Sequence, residues 1–148
     1  FDPFVNNDDV KKLGGTKVDN FDEEIKTSDY LSVHMPLNDK TKNLINYDRL
    51  KIMKKNSILI NTARGGIINE IDLNKALDEK LIFGAGLDVF EKEPLDRNNP
   101  LLTNKRIILS PHAAALTNEC KIRMAKESVQ NIIDFFKNKI NPSNIVNL

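Results

Sequence analysis

The stretch Ser57-Ile58-Leu59-Ile60-Asn61 runs apolar and β-branched without alternation, then breaks on Thr62-Ala63-Arg64-Gly65-Gly66. An unalternating apolar run is what a parallel strand covered on both faces needs. This strand therefore requires neighbours on either side and helices above and below it, which points to an α/β sheet. The two glycines that follow supply backbone freedom without bulk. In an open α/β sheet the carboxyl ends of the strands form the ligand crevice. Arg64 stands at such an end, and its planar fork suits a carboxylate. At this point a surface Arg that closes a turn is an equally good reading.

Helical and extended segments alternate through most of the chain. Asp8 to Leu13 reads as a short helix stopped by Gly14-Gly15, followed by a brief strand over Thr16 to Val18. Phe21 to Lys26 makes a further helical turn or two. Asp29 to Pro36 reads as a core strand ending on His34 and stopped by Pro36, then comes a polar turn over Asn38 to Lys42 and a helix over Tyr47 to Met53. Glu70 to Lys80 is a helix whose buried stripe is drawn from Ile71, Leu73, Ala76 and Leu77. Phe83 to Leu87 is a glycine-punctuated strand leading into the acidic loop Asp88 to Pro94, and Ile107 to Ser110 is the last strand. One long helix spans Thr117 to Lys137, with Ile122, Ala125, Val129, Ile132, Ile133 and Phe136 along one side, and the tail Asn141 to Leu148 reads as extended. This order predicts a Rossmann-like, doubly wound parallel sheet.

Bulk properties narrow the function. A net charge of +1 over 148 residues leaves no basic footprint for nucleic acid. No apolar run approaches the ~20 residues of a membrane span, and no metal site is expected. The single cysteine, Cys120, has no internal disulfide partner, which fits a reducing cytoplasm. The opening Phe1-Asp2-Pro3-Phe4 reads as a strand end and turn rather than as the start of a fold, which suggests a fragment. An acidic residue at a strand end is where a Rossmann fold receives the adenosine ribose, although Asp-Pro is also a common turn. His34, on position alone, reads first as a structural group and otherwise as a catalytic or ligand-contacting one.

Arg64, Glu93 and His112 each fall just past a strand or in the loop it feeds, so a parallel sheet would gather them at one edge. Such a trio suits reduction of a 2-oxo acid, or the reverse oxidation. A His carries the proton because its pKa lies near working pH. A carboxylate beside it fixes the ring and favours the protonated form. An Arg grips the substrate carboxylate and polarises its carbonyl. Taken singly, each residue has an ordinary structural reading: a solvated Glu-Pro loop, a Pro-His after a strand, a surface Arg.

The motifs Phe1-Asp2-Pro3, Ser32-Val33-His34-Met35-Pro36-Leu37, Asn61 to Gly66, Gly84 to Phe90 with Glu93-Pro94, and Ser110-Pro111-His112 occur together and in order. In this the chain resembles the D-isomer-specific 2-hydroxyacid dehydrogenase family, with its opening and ending nearer the D-3-phosphoglycerate dehydrogenase branch. The resemblance implies an NAD-dependent enzyme in which Arg64 binds substrate and Glu93 with His112 forms the proton relay. Glu93 is preferred over Glu91 because it directly precedes the proline. By the same resemblance Asp2 holds the ribose and selects NAD, and Pro3, His34, Met35, Pro36, Thr62, Ala63, Arg64, Asp88, His112, Ala114 and Ala115 line the cofactor. It also implies a small 2-hydroxy or 2-oxo acid as substrate, a homodimer and a cytoplasmic location.

Two departures from the family pattern stand out. The glycine-rich turn that cradles a pyrophosphate lies upstream of the acidic residue in the family and is absent from this sequence, as is most of the substrate domain. Ala113-Ala114-Ala115 stands where many relatives carry glycine, and the added methyls narrow the approach to nicotinamide. The expected organisation is a partial NAD-binding domain over 1–112, then a helix and tail over 113–148 returning toward the substrate domain. Such a chain alone is expected to bind NAD weakly and turn nothing over. Two other readings stand beside this one. The first is an NADH-sensing, corepressor-like binding module that keeps the fold without physiological turnover. The second is the Rossmann-like domain of some other NAD protein.

Overall fold

The computed structural model describes residues 1–146 and divides the chain into two compact units, Phe1–Pro111 and His112–Leu148. In the first, four parallel strands lie side by side in sequence order: β1 Tyr30–Val33, β2 Ile58–Asn61, β3 Gly84–Leu87 and β4 Ile107–Leu109. The register sets Val33 beside Asn61 and Asn61 beside Leu87, so the strands end level with one another. The helices of this unit are α1 Asn7–Lys12, α2 Phe21–Thr27, α3 Tyr47–Ile52 and α4 Glu70–Asp78, with a 3-10 turn at Pro100–Leu102. The α/β, Rossmann-like parallel sheet is thus as the sequence indicates. Because the order is sequential, these strands form a single run of a doubly wound sheet, without the reversal of strand order.

Asparagines set the helix starts. Asn6, Asn20, Asn46 and Asn69 each accept, through the side chain, the backbone N–H three residues on. Each satisfies a donor the helix itself cannot. The helix ends are tied as well: Asp72 on α4 accepts the Tyr47 amide at 2.9 Å. The Tyr47 hydroxyl donates to Glu79 at 2.5 Å, which pushes the Tyr47 pKa up. Arg49 on α3 donates to both oxygens of Asp22 on α2, at 2.7 and 3.3 Å, and to the Leu44 carbonyl. The guanidinium holds the Asp22 carboxyl below its usual range.

Successive helices touch one another, α2 with α3, α3 with α4 and α4 with the 3-10 turn, so they form one layer on one face of the sheet. Connections of constant hand between strands in sequence order return to the same side. The core lies between that layer and the sheet: Val33, Leu59, Ala85 and Leu87 meet Ile25, Leu50, Leu73, Ala76, Leu77 and Leu101.

Several expectations are corrected. The apolar run of β2 is covered on one face only. Leu59 and Asn61 are buried, Ile58 and Ile60 are half-buried, and on the same open face Tyr30 is 71% and Ile108 79% exposed. Thr16 to Val18 and Phe1 to Phe4 form no strand; the latter is a bend. Ile71 is 78% exposed and leaves the buried stripe of α4 to Leu73, Ala76 and Leu77, because it points away from both sheet and α3.

In the second unit, α5 runs from Asn118 to Phe136 with Thr117 as its N-cap. Its apolar side lies exposed, including Ile122, Val129, Ile132 and Phe136. The tail, expected extended, makes a 3-10 turn at Pro142–Asn144, and its last residues, 147–148, lie outside the described residues. No helix among the described residues is long and apolar enough to cross a membrane.

Candidate functional site

The turn that carries Arg64 is built by the last residue of β2. Asn61 is 1% exposed. Its Oδ1 accepts the Ala63 amide at 3.0 Å, and its Nδ2 donates to the Arg64 carbonyl at 2.9 Å. Its own carbonyl accepts the Asp88 amide at the end of β3. One buried amide side chain therefore wraps the backbone from Ala63 to Arg64. Downstream, the Asn43 amide donates to the Gly66 carbonyl, and Ile45 pairs in parallel with Ile68. The Arg64 turn is held from both sides while its side chain stays exposed, with one guanidinium nitrogen 2.6 Å from the Ala63 carbonyl.

The loop after β3 abuts this turn. A Cβ built on Gly65 would lie 1.8 Å from the Phe90 carbonyl oxygen and 2.6 Å from the Glu91 nitrogen. Backbone thus packs on backbone there, which only glycine permits. Within the loop, the Phe90 amide donates to Glu93 Oε1 at 3.0 Å, and the next amide, Glu91, donates to Glu70 Oε1 at 2.6 Å. The Glu93–Pro94 peptide is cis. Asp88, only 3% exposed, accepts the Ser110 hydroxyl from the end of β4. Cross-links of this kind tie the ends of β2, β3 and β4 together.

At the end of β1, His34, Met35 and Pro36 line a shallow hollow with Ala63 and Arg64. His34 Nε2 lies 2.7 Å from the Ser32 hydroxyl oxygen. Thr62 is exposed beside Ala63. Asp2 is exposed, and its Oδ1 accepts the Phe4 and Val5 amides at 2.8 and 3.3 Å. Its Oδ2 takes no hydrogen bond among the described residues, so it can still accept from a ribose hydroxyl. Pro3 follows it in the bend.

Arg64, Glu93, His34 to Pro36, Thr62, Ala63, Asp88, Asp2 and Pro3 all belong to the first unit. His112, Ala114 and Ala115 belong to the second. There His112 takes a left-handed backbone conformation, φ 52°, and the Leu116 amide closes a turn onto the Ala113 carbonyl.

Asn61 and Ser110, whose side chains tie these strand ends, carry no role in the sequence reading. Asn61 had a readable signal, since an Asn that closes an apolar run before a small-residue turn favours a side-chain turn onto the amide two residues on.

A parallel sheet with a hollow at the carboxyl ends of its strands, an acidic group with a spare acceptor and an exposed Arg on a fixed turn defines a nucleotide-binding α/β domain. The family described as D-isomer specific 2-hydroxyacid dehydrogenase, NAD binding domain, matches residues 1–114, and the chain belongs to that family. A glyoxylate reductase from Aeropyrum pernix is 44% identical over 94% of this chain and 41% of its own length. A D-3-phosphoglycerate dehydrogenase from Methanocaldococcus jannaschii is 37% identical over 98% of this chain and 28% of its own. The crystal structure of D-lactate dehydrogenase with NAD+ from Lactobacillus jensenii superposes with a TM-score of 0.84 at 28% identity, covering 98% of this chain and 47% of that one. The chain therefore spans less than half the length of these relatives. NAD is the cofactor of this domain family, and the spare carboxylate oxygen of Asp2 is an acceptor of the kind a ribose hydroxyl donates to.

Proposed function

We propose that the protein to which this chain belongs is an NAD-dependent dehydrogenase of D-2-hydroxy acids. Arg64 grips the acid's carboxylate, and Glu93 with His112 relays the proton. The observation that carries this reading is the Gly65–Phe90 contact, because it fixes the Arg64 turn against the loop of Glu93. When bound, NAD supplies a hydride acceptor at the nicotinamide ring. In the oxidation, the substrate hydroxyl gives its proton to the His112 imidazole as the hydride leaves its carbon, and the reverse reduction returns both. Glu93 favours the charged imidazole. Arg64 donates two hydrogen bonds to the carboxylate and polarises the adjacent oxygen.

Asp2, Pro3, His34, Met35, Pro36, Thr62, Ala63, Asp88, Ala114 and Ala115 line the cofactor in this reading, and the Asp2 charge disfavours the 2′-phosphate of NADP. Residues 1–112 serve as a portion of the NAD domain and 113–148 as the link toward a substrate domain. The protein works as a cytoplasmic homodimer. The finer reading is D-3-phosphoglycerate as substrate, in serine biosynthesis, supported by relatives of that name at 37% and 39% identity. Glyoxylate is the second reading, favoured by the 44% identity of the Aeropyrum reductase.

The test is absorbance at 340 nm on the full-length protein, with NAD and NADP each offered 3-phosphoglycerate, D-lactate, D-glycerate and D-2-hydroxyglutarate, and NADH offered glyoxylate. NADH formed from phosphoglycerate alone supports the first reading, and NADH consumed by glyoxylate alone the second. Silence with every acid despite tight NADH binding overturns the enzyme in favour of a nucleotide-sensing module.

A further inference from the structure

The peptide unit joining Phe90 to Glu91 is held from two sides. Gly65 packs against its carbonyl. Its N–H, that of Glu91, donates to Glu70 Oε1 at 2.6 Å from the first turn of α4. The preceding amide, Phe90, is the one that donates to Glu93. Successive amides of one loop are therefore divided between two glutamates, one belonging to the site and one outside it. The second oxygen of Glu70 accepts Nδ2 of Asn99 at 3.2 Å, ahead of the 3-10 turn at Pro100–Leu102. Asn99 cannot reverse its amide without loss, because its Oδ1 accepts the Leu101 amide at 2.9 Å. Glu70 thus faces two donors and must accept on both oxygens, which a carboxylate does and a carboxamide does not.

We propose that Glu70 is a positioning residue: through the Glu91 amide it fixes the loop that presents Glu93, and it acts on the proton relay without touching substrate or cofactor. The inference rests on the dehydrogenase reading for its catalytic consequence and on the hydrogen bonds alone for its structural one.

The test uses the full-length protein and two readouts. Amide hydrogen exchange over residues 88–95 reports the loop directly and needs no turnover. Glu70→Ala is expected to raise exchange there at least tenfold, with Glu70→Gln between it and the wild type. In steady state, Glu70→Ala is expected to lower kcat about tenfold, as loss of an outer-layer partner does. KM for the acid and the affinity for NADH are expected to stay within about twofold, since neither ligand meets Glu70. The decisive variant is the double substitution Glu70→Gln with Asn99→Asp, which exchanges donor and acceptor between the two positions. It is expected to restore both protection and kcat. Unchanged exchange in Glu70→Ala, or a double variant no better than Glu70→Gln alone, overturns the proposal. Should Glu70→Ala fail to fold, Asn99→Asp alone sets two carboxylates face to face; it is expected to raise exchange in the same segment, and unchanged exchange there overturns the proposal. If the wild type turns over no acid, the dehydrogenase reading fails while the exchange measurement still decides the role of Glu70 in the loop.

Discussion

Gly65 and Phe90 meet backbone to backbone, so closely that a methyl group on Gly65 would stand 1.8 Å from the Phe90 carbonyl oxygen. Neither partner can yield by rotating a side chain. Gly65→Ala is therefore expected to cost about 3 kcal/mol or more, at or beyond the upper end for overpacking. Gly66→Ala meets only the Leu37 and Glu91 side chains, none nearer than 3.5 Å, but must hold a φ of 78°. It is expected to cost about 1 kcal/mol. Urea unfolding of the two variants checks the order, and equal losses would contradict it.

Arg64→Lys keeps the charge at the turn and removes the fork. In the full-length protein, kcat/KM for the 2-oxo acid is expected to fall about a hundredfold, as loss of a charged, paired hydrogen bond implies. Steady-state kinetics beside NADH titration measure this; a variant within threefold of the wild type would remove Arg64 from the substrate clamp.

Asn61→Ala leaves the part-buried Arg64 carbonyl and Ala63 amide without their side-chain partner. Two such losses are expected to cost about 2–4 kcal/mol. Asn61→Asp keeps the acceptor for Ala63 and loses the donor to Arg64, so it is expected to fall between. Thermal unfolding of both variants provides the comparison.

The pair Asp22–Arg49 gives the acid limb of stability a definite sign. The Asp22 pKa is lowered in the fold, chiefly by the Arg49 hydrogen bonds. The contribution is therefore fully present above the ordinary carboxylate value of 3.8 and is lost as pH falls through the lower folded value. The Asp22 side chain is half exposed. Solvent screening then limits Asp22→Asn to a loss of about 0.5–1 kcal/mol at neutral pH. Urea titrations at pH 7 and below pH 3 should show the difference between variant and wild type shrinking with acidification.

Element type and order were legible because each strand is a short apolar run and each helix a 3.6-residue pattern. Leu73, Ala76 and Leu77 announce the buried side of α4, and Ile107 to Leu109 the last strand. What misled was one-sidedness. Ile58 and Ile60 read as buried because an apolar run does not say which of its faces is covered, and that depends on which way the connections return. Ile71 failed for the same reason, being apolar on a helix flank that no neighbour meets. Of the candidate site, the strand-end residues could be placed from sequence, since a strand's end is visible where the apolar run stops. The braces behind them were not, because Glu70 and Asn99 are far apart in sequence and meet only through the folded loop.

The strict sequence order of the four strands also has a meaning for synthesis. Each of β2, β3 and β4 pairs with the strand made just before it, so each crossover among these four closes a short loop. These strands can add one after another as the polypeptide leaves the ribosome, at the ~5–20 residues per second of translation, each serving as the template for the next.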